Sequence, residues 1–136
     1  RLTFIGGGDK EYLCRIKEKS QDLNVEKAVV FLPENTDIPK EMAKNNALMF
    51  PSVFEGFGIV AIEAQAVGIK CFASTGVPRE VNLGNVYFLN LLDGSERWAN
   101  AISEKIEQTG TKRHYVNITS CDINNIKEIY RVMYRG

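Results

Sequence analysis

The sequence predicts an α/β fold built on a parallel sheet, and three observations carry that expectation. Short apolar runs alternate with longer helical stretches along most of the 136 residues. The runs themselves, such as Val29-Val30-Phe31-Leu32, show no polar alternation, which fits strands covered on both faces. Turn-forming clusters rich in Gly, Pro, Ser and Asn follow those runs. The expected architecture is a three-layer, Rossmann-like parallel sheet with helices on both faces.

Taken in order, the first strand covers 2–5 and gives way to Gly6, Gly7 and Gly8. A helix over 10–23 follows, with Arg15 on its polar face. The second strand lies at 28–32, ahead of a loop that starts with Pro33. A short helix over 39–45 leads to a third strand at 47–50. From Ile59 to Val67 no Gly or Pro interrupts a helix, and nearly every side chain is apolar or small. A helix without a polar face is usually buried between other elements. Strands at 70–73 and 86–89 and a helix over 96–107 complete the pattern. After a break at 109–111, Asp122 is placed to cap a helix over 123–134, whose Ile123, Ile126, Ile129, Tyr130, Val132 and Met133 form a broad apolar stripe. This tail, 109–136, either covers the domain's own sheet or packs on another domain.

Composition narrows the function classes. The length suits one compact domain, 1–136, with a real core. Charges balance at 17 basic and 17 acidic residues, so no broad field favours nucleic acid or an anionic membrane. No apolar run approaches the roughly 20 residues of a membrane span. Cys14, Cys71 and Cys121 are odd in number and widely spaced, which argues against a disulfide framework or a zinc site and suits a reducing compartment. The chain opens on Arg1 directly before a strand, and it is expected to be part of something larger.

The segment richest in chemistry runs from Pro51 to Ala66, where Glu55 and Glu63 stand eight positions apart across a loop-to-helix junction. A carboxylate inside an apolar helix is costly unless something polar meets it, so Glu63 needs a partner. That partner is either a ligand hydroxyl pair or a core Arg or Lys. Glu55 can reach the helix N-terminus, either to meet a ligand or simply to complement the dipole. Gly56, Phe57, Gly58, Ile59 and Val60 read as a phosphate cradle, because glycine lets a backbone approach closely and helix N-terminal amides lack acceptors. An ordinary tight turn before a buried helix is the plain alternative. Phe57 either shapes a pocket or fills core.

Glu55 and Glu63, in the setting Pro-Ser-x-Phe-Glu-Gly-Phe-Gly-Ile-Val-x-x-Glu-Ala, resemble the signature of retaining GT-B glycosyltransferases of the family 4 type (group 1). The signature belongs to the C-terminal, donor-binding half of that architecture. Leu2-Thr3-Phe4-Ile5-Gly6-Gly7-Gly8 resembles its opening strand and turn, and residues 29–32, 47–50 and 74–80 follow in the expected order. Glu63-Ala64-Gln65-Ala66-Val67-Gly68, with 85–89, Trp98 and Ala99, is most similar to the bacterial capsule and exopolysaccharide branch. The resemblance implies a nucleotide-diphosphate-sugar donor and metal-independent, retaining transfer with no cofactor. It assigns the ribose hydroxyls to Glu63, the donor sugar hydroxyls and the catalytic role to Glu55, and the diphosphate to residues 56–60. It implies a cytoplasmic enzyme, with peripheral association at the inner membrane face as its one membrane option. The acceptor would bind a missing N-terminal domain. The diphosphate-clamping Arg/Lys pair lies upstream of this segment in the family, so these 136 residues alone are expected to transfer no sugar. The rival reading is a noncatalytic nucleotide-binding or protein-docking module of the same fold.

Other motifs are weaker. Gly6-Gly7-Gly8-Asp9 suggests a dinucleotide fingerprint, but the third glycine that the pattern requires is Glu11. Pro33 begins the loop that holds the base in the resembling family, and it offers no backbone donor. Arg79 and Glu80 read as a surface ion pair, and His114, among Lys112, Arg113 and Tyr115, as a solvated histidine.

Overall fold

A computed structural model describes residues 1–116; the expected helix over 123–134 and Cys121 lie outside them. The chain divides into two compact units, Arg1–Glu41 and Met42–Gly136. Every strand pairing among the described residues is parallel, as a Rossmann-like α/β fold requires. Among the described residues no helix is long and apolar enough to cross a membrane.

In the first unit, β1 (Leu2–Ile5) pairs with β2 (Val29–Leu32), in register from Leu2 opposite Val29 to Ile5 opposite Leu32. Phe4 and Phe31 stack across that pair with ring centroids 5.3 Å apart. Helix α1 (Lys10–Asp22) starts at Asp9, whose carboxylate accepts the Glu11 amide at 2.8 Å and so satisfies one orphan donor. A single 3-10 turn, Glu26–Ala28, takes the first residue of the strand expected at 28–32. Helix α2 (Ile38–Met42) begins earlier and ends sooner than the expected 39–45. Asp37 sets its start, accepting the Lys40 amide at 3.1 Å.

In the second unit, β3 (Ala47–Phe50), β4 (Lys70–Ser74) and β5 (Val86–Leu89) form a sheet in the order β3-β4-β5. The central β4 is buried at every residue, including Lys70, whose ammonium donates to the Gly110 carbonyl at 3.2 Å. Helix α3 (Ile59–Ala66) packs on β3 and β4. Its buried face is Ala61, Ala64 and Gln65, at the i, i+3, i+4 spacing of one helical stripe. The helix is therefore not buried all round as its composition predicts: Ile59 is 48 % exposed. The small alanines let the backbone approach the sheet, and the bulkier Ile and Val side chains fall on the remaining surface. Helix α4 (Gly94–Thr109) starts two residues before the expected 96, following a 3-10 turn at Leu91–Asp93. Trp98 anchors it, donating its indole N–H to the Asn90 carbonyl at 2.9 Å.

Candidate functional site

The parallel order of the second unit puts the segments after β3 and β4 at the carboxyl edge of one sheet, where open α/β sheets bind ligands. Two of those segments, 51–58 and 74–78, are strapped together. The Glu55 amide donates to the Gly76 carbonyl at 3.1 Å. The Ser74 hydroxyl donates to the Ser52 carbonyl, and the Ser52 hydroxyl donates to the Phe54 carbonyl at 3.1 Å. Gly76 is what allows the approach, since a Cβ there would stand 2.2 Å from the Val53 carbonyl oxygen.

Gly58 ends this loop and caps α3 at φ 77°, ψ 40°, a left-handed conformation that glycine adopts without penalty. A Cβ on it would also lie 3.1 Å from Val77 and 3.5 Å from the Glu55 Cγ. The Glu55 side chain thus runs beside the helix N-terminus. No side chain among the described residues caps that terminus, and the Ala61 amide returns to the Gly58 carbonyl at 3.0 Å. The Ile59 and Val60 amides have no acceptor among the described residues. They open onto a cavity of about 440 Å³ lined by Phe50 and by each residue from Glu55 to Val60. Gly56 leaves that cavity clear: a Cβ on it would meet no atom within 4 Å.

Glu55 and Glu63 are both half-buried, and neither carboxylate has a hydrogen bond or ion pair among the described residues. The alternative of a core Arg or Lys on Glu63 is therefore not what these residues form. Glu63 does not line the cavity; it stands one turn along α3 from Ile59 and Val60, on the same side of the helix. The arrangement offers unsatisfied N–H groups with a favourable helix field at one point and a free carboxylate acceptor at another. A ligand carrying an anionic group and neighbouring hydroxyls matches both.

Two residues that sequence reasoning gave no role hold this arrangement in place. Gly76 is one. Gln65 is the other: fully buried, its amide donates to the carbonyls of Ala61 at 2.9 Å and Val81 at 2.8 Å. Its carbonyl accepts the amides of Leu83 at 2.8 Å and Asn85 at 3.2 Å. Only the placement of a Gln in an apolar helix hinted at it. Arg113 also contributes, donating to the Val67 carbonyl at the end of α3 at 3.2 Å and to the carbonyl of Ala43.

Several other expectations fall elsewhere. The ion pair between Arg79 and Glu80 is absent among the described residues, because Arg79 lies over the Phe88 ring at 4.1 Å. His114 is exposed and donates its backbone N–H to Gly68. In the first unit, the Gly6 amide donates to the Leu32 carbonyl, and the Glu34 carboxylate crowds Gly7, where a Cβ would stand 2.7 Å from it. A carboxylate over that turn opposes a phosphate, against the dinucleotide reading. Cys14 is exposed, whereas burial pushes the Cys71 thiol up to about 12.

Residues 1–119 match the family model described as glycosyl transferases group 1. EpsF of Bacillus subtilis (strain 168) is 29 % identical over 121 residues, covering 88 % of this chain and 32 % of its own length. The UDP-Gal:alpha-D-GlcNAc-diphosphoundecaprenol alpha-1,3-galactosyltransferase of Escherichia coli is 30 % identical over 93 residues, covering 68 % of this chain and 23 % of that protein. HepE of Anabaena, crystallised with UDP-glucose, superposes with a TM-score of 0.73 at 20 % identity, over 94 % of this chain and 40 % of that one. At that identity the likeness is one of fold. The chain spans about a third or less of the length of these two curated relatives.

Proposed function

The chain belongs to the group 1 glycosyl transferases, and on that footing we propose that it is the donor-binding part of a retaining, metal-independent enzyme. The observation that carries this reading is the cavity in which the Ile59 and Val60 amides share a wall with the Glu55 carboxylate, none of them with a hydrogen-bond partner among the described residues. In the proposal the amides and the N-terminal field of α3 hold the donor diphosphate. Glu55 accepts from the donor sugar hydroxyls, and Glu63 from the vicinal ribose hydroxyls, a charge-assisted pair of contacts that a carboxylate can make at once. Gly56, Phe57 and Gly58 shape the approach. A UDP-sugar is the proposed donor, supported by the UDP-glucose bound to HepE and the UDP-Gal in the name of the E. coli relative.

The chemical step is transfer of a glycosyl group. The bond between the anomeric carbon and the diphosphate oxygen breaks, leaving its electron pair on that oxygen. An acceptor hydroxyl oxygen bonds to the anomeric carbon from the same face, and its proton passes to the departing diphosphate. Stabilising the new negative charge is the largest task, and preorganised amides meet it without reorganisation. No cofactor enters this scheme.

We place the reaction in bacterial surface-polysaccharide synthesis, at the cytoplasmic side of the membrane. The E. coli relative, named for a sugar-diphosphate lipid acceptor, supports that branch. Residues 1–136 would then form a single nucleotide-sugar-binding domain, with the acceptor held in the cleft between it and an N-terminal domain of the full-length protein. The test is ligand-observed NMR of the full-length protein with UDP, GDP and ADP. UDP alone should bind, and Glu63→Ala should remove the signal. Equal responses to all three, insensitive to Glu63→Ala, would refute the assignment.

A further inference from the structure

Beside the cavity, Val53 and Phe54 stand out of the loop at 84 % and 83 % exposure, directly before Glu55. Large apolar side chains in such a position are ordinarily mobile or covered, yet the backbone beneath these two is fixed on both sides. The Val53 carbonyl is set against Gly76, the Phe54 carbonyl accepts the Ser52 hydroxyl, and the Glu55 amide is tied to Gly76. The main chain under an aromatic tip is thus held firmly while the tip itself meets solvent.

We propose that Phe54, with Val53 beside it, is the platform on which the acceptor saccharide packs. This rests on the donor reading given above. With the donor sugar on Glu55, the acceptor hydroxyl must come within bonding reach of the anomeric carbon, so the acceptor ring has to sit at the rim of the same cavity. Phe54 is the exposed aromatic that directly precedes Glu55, the first loop residue lining that cavity. A pyranose presents one face of C–H groups, which an aromatic ring covers. Phe54 supplies the ring, while the Glu55 carboxylate beside it in sequence is engaged with the donor sugar. The anchored backbone keeps the entropy lost on docking small.

The test uses the full-length enzyme with UDP-glucose as donor and octyl glucoside, galactoside and N-acetylglucosaminide as acceptor probes. Phe54→Ala should raise the KM for the accepted glycoside by about tenfold, the loss expected for one removed stacking contact. UDP binding and the slow hydrolysis of UDP-glucose by water should stay within about twofold, and Phe54→Trp should restore the acceptor KM. An unchanged acceptor KM overturns the proposal, as does an equal loss of UDP binding and hydrolysis, which would mark Phe54 as structural. A wild-type enzyme that accepts none of the glycosides while hydrolysing UDP-glucose overturns it too. A wild-type enzyme that binds no UDP removes the donor reading, and this proposal falls with it.

Discussion

Replacing Gly76 by alanine should damage the second unit more than its size suggests. The new Cβ would lie 2.2 Å from the Val53 oxygen, 2.7 Å from the Val53 carbonyl carbon and 2.9 Å from the Ser52 oxygen. All three are main-chain atoms, so no rotamer relieves the clash. Moving the nearest atom out to an ordinary 3.4 Å contact requires a displacement of 3.4 − 2.2 = 1.2 Å. A shift of that size stretches the 3.1 Å bond from the Glu55 amide beyond hydrogen-bonding range and strains the bond from Ser74 to Ser52. Losing the first hydrogen bond and weakening the second costs about 1.5 kcal/mol together, and the residual crowding adds about 1.5 kcal/mol. The expected destabilisation is therefore about 3 kcal/mol. Trp98, the single tryptophan of the sequence, is buried in the same unit and reports its unfolding. Urea denaturation of the 136-residue chain followed by its fluorescence should show a lower midpoint with an unchanged slope. A midpoint equivalent to a loss under about 0.5 kcal/mol would refute the reasoning, because the loop would then yield freely.

Gly56→Ala is the converse case: its Cβ meets nothing within 4 Å, so stability should hold within about 0.5 kcal/mol while UDP affinity of the full-length protein falls, as calorimetry would read. Gln65→Leu strips partners from two carbonyls and two amides and should cost about 3 kcal/mol in the same denaturation assay. In native protein at pH 8, Cys14 should react quickly with a thiol reagent and Cys71 only after denaturation. Since burial raises the Cys71 value from 9.0 to about 12, its contribution to stability is complete below pH 9 and is lost as the pH climbs from there toward 12. Denaturation midpoints across that range in wild type and Cys71→Ala would check the sign.

Much of the fold was legible because strand periodicity and turn residues act locally. The strands at 2–5, 47–50 and 86–89 lie where the apolar runs end in Gly, Pro or Asn. Helix ends were less legible, since they depend on particular side chains: Asp37 moves the start of α2, and the turn at Leu91–Asp93 leads straight into α4. The loop containing Glu55 and the glycine opening of α3 could be anticipated from composition. The strap could not, because the close approach of Gly76 to Val53 pairs residues 23 positions apart (76 − 53) that carry no local signal. Gln65 was hidden for a similar reason, as its partners extend to Asn85. The one-sided burial of α3 reflects where the sheet lies, which an apolar composition does not encode.

The bonds of Gln65 also bear on the order in which the second unit assembles. Its side chain reaches Val81, Leu83 and Asn85, so it can be satisfied only after α3, the turn at Arg79–Val81 and the residues leading into β5 have all come together. Contacts of that kind are absent from a folding nucleus made of α3 and its neighbouring strands. Weakening them would leave the rate of folding nearly unchanged and quicken unfolding instead. The segment from Arg79 to Asn85, which carries no strand and only one short turn, is thus tied to α3 by that one side-chain amide, while Asn85 fastens it to the sheet through the Ile69 carbonyl at 2.9 Å.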